Sequence, residues 1–416
     1  MGLIKNLCLK LSYTKAIDRS SGRLETMFFE NYYRIAYMTG MSTADDNIGY
    51  LVYSNAVKLM IVLLVLGVVW YGFMETTSFD EFAGNLNVSL LQFITFYRYR
   101  NMLAHEKFYN ELASSMESPY FDISTEQRKK LVEFWSRTNV KYLKLLMGLG
   151  NCTLLAWFIF PLVDDIEYNL IVGLYLPFFY KSPSMYPLAY MLSVIFFFYI
   201  SQFVMVTDLK MQTHLIHVLC QFSVLADCFE NMIPDCTAGL EGVPRNHLMY
   251  NNHFAAKYTE RLGNLVKQHK ILLGHAMNLR DTLSGPLLGQ LAASGVLICF
   301  IGYQATATIG QSVVACMTSF LFLAYNLFDF YMICRWCQEI TNQSANVGEA
   351  IYCSGWECGV SKLPGVRSTI MFVIARANKP LVLTAGGMYD LSLTSYTSLV
   401  KTSYSALTVL LRFRHD

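Results

Sequence analysis

Long uncharged runs of apolar residues alternate along this chain with polar stretches. The run 59-LMIVLLVLGVVWYGFM-74 contains no charged residue, and the apolar segment 51–57 precedes it. About 20 mostly apolar residues in a helix span the hydrocarbon core of a bilayer. The sequence therefore predicts seven transmembrane helices, of which the second has the weakest hydropathy. They cover residues 51–74, 83–104, 139–163, 187–210, 285–306, 312–336 and 387–411.

The distribution of positive charge predicts how these helices are oriented. Of the 32 Lys and Arg residues, 27 lie in segments 1–50, 98–144, 210–280 and 335–379, which would share one side of the membrane. Loops on the opposite side contain a single basic residue, Lys181. Because basic residues accumulate on the cytoplasmic side, we predict a cytoplasmic N-terminus and an extracellular C-terminus. The predicted fold class is an all-α membrane protein, consistent with 54% hydrophobic and only 15% charged residues.

The polar stretches divide the chain into four regions. We predict a cytoplasmic N-terminal segment, six helices with a cytoplasmic helical extension, a cytoplasmic helix and connection for assembly, and a last helix with a short extracellular tail. These regions are residues 1–50, 51–340 with the extension 211–284, 341–384, and 385–416.

The cytoplasmic extension contains two long helical segments. Residues 205–232 continue the fourth span, and 254–279 is amphipathic, with apolar positions near helical spacing at Leu262, Leu265, Leu272 and Leu279. These apolar stripes either pack on each other or form an assembly domain between subunits. Beyond the sixth span, residues 343–357 predict a separate short helix.

Four cysteines near the sixth span have a spacing that superficially resembles a zinc site. Cys334 and Cys337 form one pair, and Cys353 and Cys358 form the second. A zinc ribbon normally has two residues within each pair, whereas the second pair here has four. We therefore predict no metal site and regard the cysteines at the span as small hydrophobic residues.

Two acidic residues lie close to or inside predicted spans. Asp208, near the inner end of the fourth span, is expected to be solvated. Asp329 lies deeper in the sixth span, where an unpaired charge is costly. Its candidate partners are Lys58, Lys401 or another subunit, and the sequence does not choose among them.

The last predicted helix carries polar residues on one face. Residues three and four apart share a face of an α-helix. Five positions form such a stripe: Ser398, Thr402, Ser405, Val409 and Arg412. Hydroxyl residues pack membrane helices closely, but a polar stripe with a valine near one end also suits a water-filled path with a hydrophobic gate. The residues alone leave both interpretations open.

The C-terminal region resembles the insect odorant receptors. The segments that carry the resemblance are 350-AIYCSGW-356, 376-RANKPLVLTAGGMYDLSL-393 and 401-KTSYSALTVLLRF-413. The exit of the sixth span, 331-YMICRWCQEI-340, is also similar, although Cys337 stands where that family commonly has glycine. Arg412 replaces a glutamine typical of the related gustatory receptors. Chain length and the seven-helix layout extend the resemblance over nearly the whole chain.

The resemblance implies a subunit of an odorant-gated, nonselective cation channel in the plasma membrane of olfactory sensory neurons. Tuned subunits of that family assemble with a co-receptor into heterotetramers, and the last helix lines the pore. The short loop 105–138 implies a tuned subunit, because the co-receptor has a longer one. The gate then falls on Val409 and a polar pore position on Arg412, an arginine that is either present in few copies per tetramer or turned outward to solvent. No cofactor is implied.

The resemblance also implies an odorant pocket in the outer half of the bundle, among the second, third, fourth and sixth spans. The family pattern of the third span matches Gly150, Thr153 and Trp157. On the other spans, depth and periodicity predict Leu90, Leu91, Ile94, Tyr190, Val194, Phe197, Phe320, Leu321 and Ala324. The aromatic content of these spans favours an aromatic or heterocyclic volatile as ligand.

Competing functions fit the sequence less well. A gustatory-type receptor channel is the nearest alternative. The predicted orientation opposes a G-protein-coupled chemoreceptor, and no internal repeat or broken span indicates a transporter. No catalytic arrangement involving the scattered histidines emerges, and nothing predicts nucleic-acid binding.

Overall fold

Helices account for most of the chain that the structure, a computed structural model, describes: residues 12–76, 79–163, 166–237, 250–307, 313–357 and 359–415. The helices are α1 (Lys15–Asp18), α2 (Arg23–Met38), α3 (Ile48–Met74), α4 (Phe79–Ala104), α5 (Glu106–Ser114), α6 (Glu126–Val163), α7 (Tyr186–Glu230), α8 (Met232–Thr237), α9 (Asn252–Ala307), α10 (Val313–Tyr352), α11 (Val366–Ala377) and α12 (Leu393–His415). Strands β1 (Thr384–Ala385) and β2 (Tyr389–Asp390) pair antiparallel.

The seven predicted spans fall on α3, α4, α6, α7, α9, α10 and α12. Five of these helices, α3, α6, α7, α9 and α10, are long and apolar enough to cross a membrane. The other two, α4 and α12, have 26 and 23 residues and are more polar. The prediction of an all-α membrane protein is confirmed, and the weak hydropathy of the second span reflects a helix with many polar side chains.

Four helices are much longer than a bilayer requires. They are α6, α7, α9 and α10, with 38, 45, 56 and 40 residues, whereas about 20 residues cross the hydrocarbon core. Each therefore continues beyond its predicted span. The separate helix predicted at 343–357 does not exist, because α10 runs without a break to Tyr352.

The helical extensions bury their apolar stripes within this chain. Leu262, Leu265, Leu272 and Leu279 of α9 are only 1–3% exposed. They belong to the same hydrophobic cluster as the buried α7 residues from Leu215 to Phe229. Of the two alternatives for this stripe, packing within the chain is the one observed, so the stripe is not free to contact another subunit.

A buried ionic network connects helices α6, α7, α8 and α9. Arg128 of α6, whose side chain is fully buried, lies 2.8 Å from carboxylate oxygens of both Asp122 and Asp227. Arg261 of α9 lies 2.8 Å from Asp122, and Asp235 of α8 contacts both guanidinium groups. Charge-assisted hydrogen bonds of this kind are strong when every member is paired. The network therefore fixes the lateral positions of α6, α7, α8 and α9.

Two histidines are buried where α2 packs against α7. The Nδ1–H of His214 donates to the Lys210 carbonyl (2.7 Å), and Gln221 Nε2 donates to His217 Nδ1 (3.2 Å). The ring of Phe29 lies 4.8 Å and 5.4 Å from the two imidazoles. Burial, which disfavours the charged form, lowers the pKa of His214 to about 4 and that of His217 to about 3.

These histidines predict a loss of stability in acid. An unfolded histidine titrates near 6.5, so the unfolded state gains protons first as pH falls below that value. The contribution of each neutral histidine to the free energy of unfolding is complete above about pH 6.5 and declines toward the folded pKa values. At pH 5 the free energy of unfolding is lower by roughly 2 kcal/mol per histidine. We expect the thermal midpoint of the purified protein to fall between pH 7 and 5.

His217→Gln should make that pH dependence shallower. The exposed His253 provides a matched control, because His253→Gln removes a histidine that is not buried. A thermal midpoint that is independent of pH in the wild type, or equal slopes in both variants, would contradict this prediction.

A tight hairpin positions the last helix. Gly386 and Gly387 have φ angles of +62° and +71°, a left-handed conformation that favours glycine. They join β1 to β2 and delay the helix, which begins at Leu393 rather than at the predicted residue 387. Ser392 then caps it, since its hydroxyl accepts from Ser395 N (3.2 Å).

Candidate functional site

A largely apolar cavity lies among four of the membrane helices, α4, α6, α7 and α10. The centre of a water-sized sphere can occupy about 60 Å³ of it, and the atom-free space reaches about 550 Å³ when open solvent at the mouth is counted. On each helix the lining positions are mainly three, four or seven residues apart, so each helix presents one face to the cavity. The lining residues are Val88, Leu91, Gln92, Gly150, Thr153, Leu154, Trp157, Phe197, Ile200, Ser201, Val204, Met205, Phe322 and Tyr325.

One side of the cavity is an aromatic wall. The indole of Trp157 stacks on Phe197, with centroids 5.0 Å apart and planes at 15°. Phe322 meets the same indole edge-on, at 5.5 Å and 76°. Both geometries are favourable for aromatic pairs, so the three rings hold one another in place. The wall is therefore formed before any ligand enters.

Another side depends on a glycine. A Cβ atom placed on Gly150 would lie 2.3 Å from Met205 Sδ, so the methionine occupies the space that the missing side chain leaves. One turn further along α6, the hydroxyl of Thr153 donates to the Leu149 carbonyl (2.9 Å) and approaches the Leu321 carbonyl at 3.3 Å. Its hydrogen-bonding capacity is thus directed to the backbone.

The cavity brings together some of the predicted pocket residues. Those that line it are Leu91, Gly150, Thr153, Trp157 and Phe197. All three positions that came from the family pattern of the third span are among them. The helices are also the four that the family resemblance implied, although the role of these residues in binding stays a prediction.

Seven of the predicted pocket residues lie elsewhere. Leu90 and Ile94 pack with the buried α9 residues Ala293, Leu297 and Ile301, and Phe320 and Ala324 are exposed. Three more do not line the cavity: Tyr190, Val194 and Leu321. On α7 the lining positions run from Phe197 to Met205, so the cavity extends deeper than predicted.

The sequence reasoning missed nine lining residues. They are Val88, Gln92, Leu154, Ile200, Ser201, Val204, Met205, Phe322 and Tyr325. Helical spacing continued inward from Phe197 would have indicated Ser201, Val204 and Met205. No comparable signal pointed to Gln92 or Tyr325.

A buried polar cluster adjoins the cavity. Tyr325, which lines the cavity, donates its hydroxyl hydrogen to Asp208 Oδ2 (3.3 Å). Asp208 forms an ion pair with Arg98 of α4, and both side chains are almost fully buried. Arg98 also donates to Gln290 of α9, whose Nε2 donates to Asp329 Oδ2 (3.2 Å). The cluster therefore connects α4, α7, α9 and α10.

This cluster corrects two predictions. Asp208 is not solvated, because its carboxylate is buried against Arg98. Asp329 is 2% exposed and accepts a hydrogen bond from Gln290 rather than pairing with Lys58 or Lys401. Both acidic groups thus have their partners inside the bundle.

The last helix, α12, packs on α9 through one face. The Ser403 hydroxyl donates to the Gly295 carbonyl (3.0 Å), and a Cβ on Gly295 would lie 3.1 Å from Leu399 Cδ1. The five residues of the polar stripe are all exposed instead: Ser398, Thr402, Ser405, Val409 and Arg412. Contact with the helices of this chain therefore does not account for the stripe.

The three described cysteines of the predicted cluster are not arranged as a metal site. Cys334 and Cys337 are buried in the core, and Cys353 is exposed. Cys358 lies outside the described residues. Within the described part of the chain, no group of three or more His, Cys, Asp or Glu residues is arranged to hold a metal ion.

Comparison with solved structures identifies the fold. The chain superimposes on the insect olfactory receptor OR5 from Machilis hrabei with a TM-score of 0.77 and 16% sequence identity, covering 93% of this chain and 98% of that one. The structure of OR5 in complex with eugenol matches with the same TM-score and identity, over 94% and 100% of the two chains.

Sequence comparison agrees. Odorant receptor 13a of Drosophila melanogaster is 28% identical over 160 residues, 36% of this chain and 38% of the relative. Odorant receptor Or2 of Anopheles gambiae is 25% identical over 162 residues, 38% of this chain and 41% of the relative. These alignments span less than half the length of the relatives. The family model described as 7tm Odorant receptor, however, matches residues 78–404. The chain therefore belongs to the 7tm odorant receptor family.

Proposed function

We propose that this chain is the odorant-binding subunit of a ligand-gated, nonselective cation channel. A small volatile occupies the cavity among α4, α6, α7 and α10, and its binding opens a pore lined by α12. The observation that carries the proposal is the apolar cavity itself, with its aromatic wall at Trp157. Ligand sites are typically concave, mostly apolar and largely formed in advance.

The arrangement of α12 supports the pore assignment. Its polar stripe is exposed while the opposite face packs on α9. In a symmetric or pseudosymmetric assembly, such a face is free to surround a central water-filled path. Val409 is placed to act as a hydrophobic gate and Arg412 as the neighbouring polar position. The N-terminus is cytoplasmic in this proposal, as the positive charges predict.

The proposed assembly is a heterotetramer with an odorant co-receptor in the plasma membrane of olfactory sensory neurons. Region 341–384 is the assembly surface in this proposal. Supporting evidence is the apolar side of α11, where Met371 and Phe372 are 52% and 75% exposed. Exposed apolar patches of this kind commonly mark protein interfaces.

An aromatic or heterocyclic volatile is the proposed ligand class. The three rings of the wall present flat apolar surface to a planar ligand. The structurally similar OR5 has been solved in complex with eugenol, an aromatic molecule, which supports this class. A ligand of about ten heavy atoms gains limited binding energy, so micromolar sensitivity is expected.

The deciding measurement is current evoked by volatiles in cells that express this chain alone, the co-receptor alone, or both. Recordings are repeated with G-protein signalling blocked. We expect a fast cation current that requires both chains, persists under the block and is strongest for aromatic ligands. A response that disappears under the block would reject the channel function, and aliphatic esters as the best agonists would reject the ligand class.

A further inference from the structure

The side-chain oxygen of Gln92, a residue that lines the cavity, lacks a hydrogen-bond donor in the described part of the chain. Gln92 is 3% exposed, and its Oε1 makes no hydrogen bond to any residue in the ranges that the structure describes. Buried polar groups are hydrogen bonded in the large majority of cases. Thr95, one turn further along α4, follows this rule, because its hydroxyl donates to the Leu91 carbonyl (2.8 Å). The cavity thus holds an acceptor for which the described chain supplies no donor.

A donor in the same cavity is also unpaired. The Nε1–H of Trp157 is buried and has no acceptor among the described residues. Two of the three hydroxyls that line the cavity are committed elsewhere, since Thr153 donates to the Leu149 carbonyl and Tyr325 donates to Asp208. The third hydroxyl belongs to Ser201. The cavity therefore offers an acceptor at Gln92 and a donor at Trp157, both set in apolar walls.

We propose that the cavity selects volatiles that carry a hydroxyl group, and that Gln92 determines this selectivity. The inference rests on the proposed function and specifies the ligand of the same site. A hydroxyl is the smallest group that both donates and accepts. It also satisfies either end of the Gln92 amide, because the carbonyl oxygen accepts and the NH2 group donates. Ethers and esters only accept, and hydrocarbons do neither.

The physical reason for selectivity is the asymmetry of buried polar groups. A ligand without a hydroxyl leaves the Gln92 oxygen unpaired in the complex and excludes other partners from it. Sites built to hydrogen-bond a substrate group strongly reject the analogue that lacks the group. Apolar contacts alone discriminate much less between ligands of the same shape.

The test uses ligands of matched shape on the chain expressed with its co-receptor. The shape-matched probes are 4-ethylphenol and 1-ethyl-4-methylbenzene, together with further aromatic pairs matched in the same way. The larger methyl ether 4-ethylanisole is added as a ligand that accepts but does not donate. Concentration–response curves are recorded for the wild type, Gln92→Leu and Thr95→Val. Thr95 is a matched control because it is a buried polar residue of α4 that does not line the cavity.

For the wild type we expect half-maximal concentrations at least about tenfold lower for the phenols than for the methyl analogues. Gln92→Leu should reduce this ratio to about threefold or less, mainly by weakening the response to the phenols. Thr95→Val should keep the wild-type ratio. Equal wild-type responses to phenols and methyl analogues, or an unchanged ratio in Gln92→Leu, would overturn the proposal.

A binding measurement separates failure of this inference from failure of the channel function. The thermal midpoint of the purified protein is recorded with 4-ethylphenol and with 1-ethyl-4-methylbenzene. A phenol-selective rise that Gln92→Leu removes would support the selectivity even if no volatile evokes current. No chain-dependent current from any volatile would reject the channel function, and equal thermal shifts would reject the role of Gln92.

Discussion

Asp208→Asn is expected to abolish surface expression and evoked current. The substitution leaves Arg98 charged and almost fully buried between α4, α7 and α9. Removing one member of a buried ion pair costs about 3–5 kcal/mol. That cost is a large part of a typical free energy of unfolding, which is roughly 5–15 kcal/mol. Surface biotinylation and the thermal midpoint of the solubilised protein measure the effect.

The expected cause is the unpaired charge rather than the lost attraction. Replacing both members, as in Arg98→Met with Asp208→Leu, should therefore restore much of the expression that Asp208→Asn loses. Asp46→Asn is a control at a surface pair, since Asp46 contacts Lys15 and Arg19 where all three side chains are exposed. Normal expression of Asp208→Asn, or a double variant no better than the single one, would contradict this account.

The ion pair illustrates what hydropathy does not reveal. Arg98 belongs to the basic segment 98–144 that helped to predict orientation, and nothing near it in sequence indicates a buried partner. Asp208 is 110 positions away, so the pair arises only when α4 and α7 pack together. A similar case is Gln290, which joins Arg98 to Asp329 from a third helix.

The positions of the membrane helices were predictable because apolar runs of about 20 residues are typical of transmembrane helices. Their lengths were predictable only in part: residues 205–232 do continue the fourth span, since α7 runs to Glu230, but the break expected before residue 343 is absent. Their extensions are amphipathic and pack on protein, so the apolar signal ends while the helix continues, as at the inner end of α10. The start of α12 was also misplaced, because Gly386 and Gly387 form a turn before the helix begins at Leu393.

The cavity was only partly predictable for a related reason. Periodicity shows which residues share a face of a helix, but not which neighbour that face meets. On α4, Leu90, Leu91 and Ile94 all pack against the α9 cluster, but only Leu91 of the three, with its neighbour Gln92, also lines the cavity. A rotation of about 100° per residue separates these two outcomes, and only the packed bundle distinguishes them.

Gly150→Ala is expected to weaken the response to bulky ligands at least about tenfold while changing the response to small ones little. A Cβ at this position would lie 2.3 Å from Met205 Sδ, so the flexible methionine must move, and it lines the cavity. If a ligand loses about 50 Å² of apolar contact, its affinity falls by about 1.3 kcal/mol. That loss corresponds to roughly a tenfold change in the half-maximal concentration.

The control lies one half-turn away on the same helix. A Cβ on Gly148 would meet nothing within 4 Å, so Gly148→Ala has the same effect on helix propensity without moving a neighbour. Shortening the methionine, as in Gly150→Ala with Met205→Ala, should restore the response to bulky ligands because it returns the displaced volume. Concentration–response curves for a series of aromatic ligands of increasing size measure all three variants. Identical curves for Gly150→Ala and Gly148→Ala would contradict this account, because they would show that Met205 does not move into space that the ligand occupies.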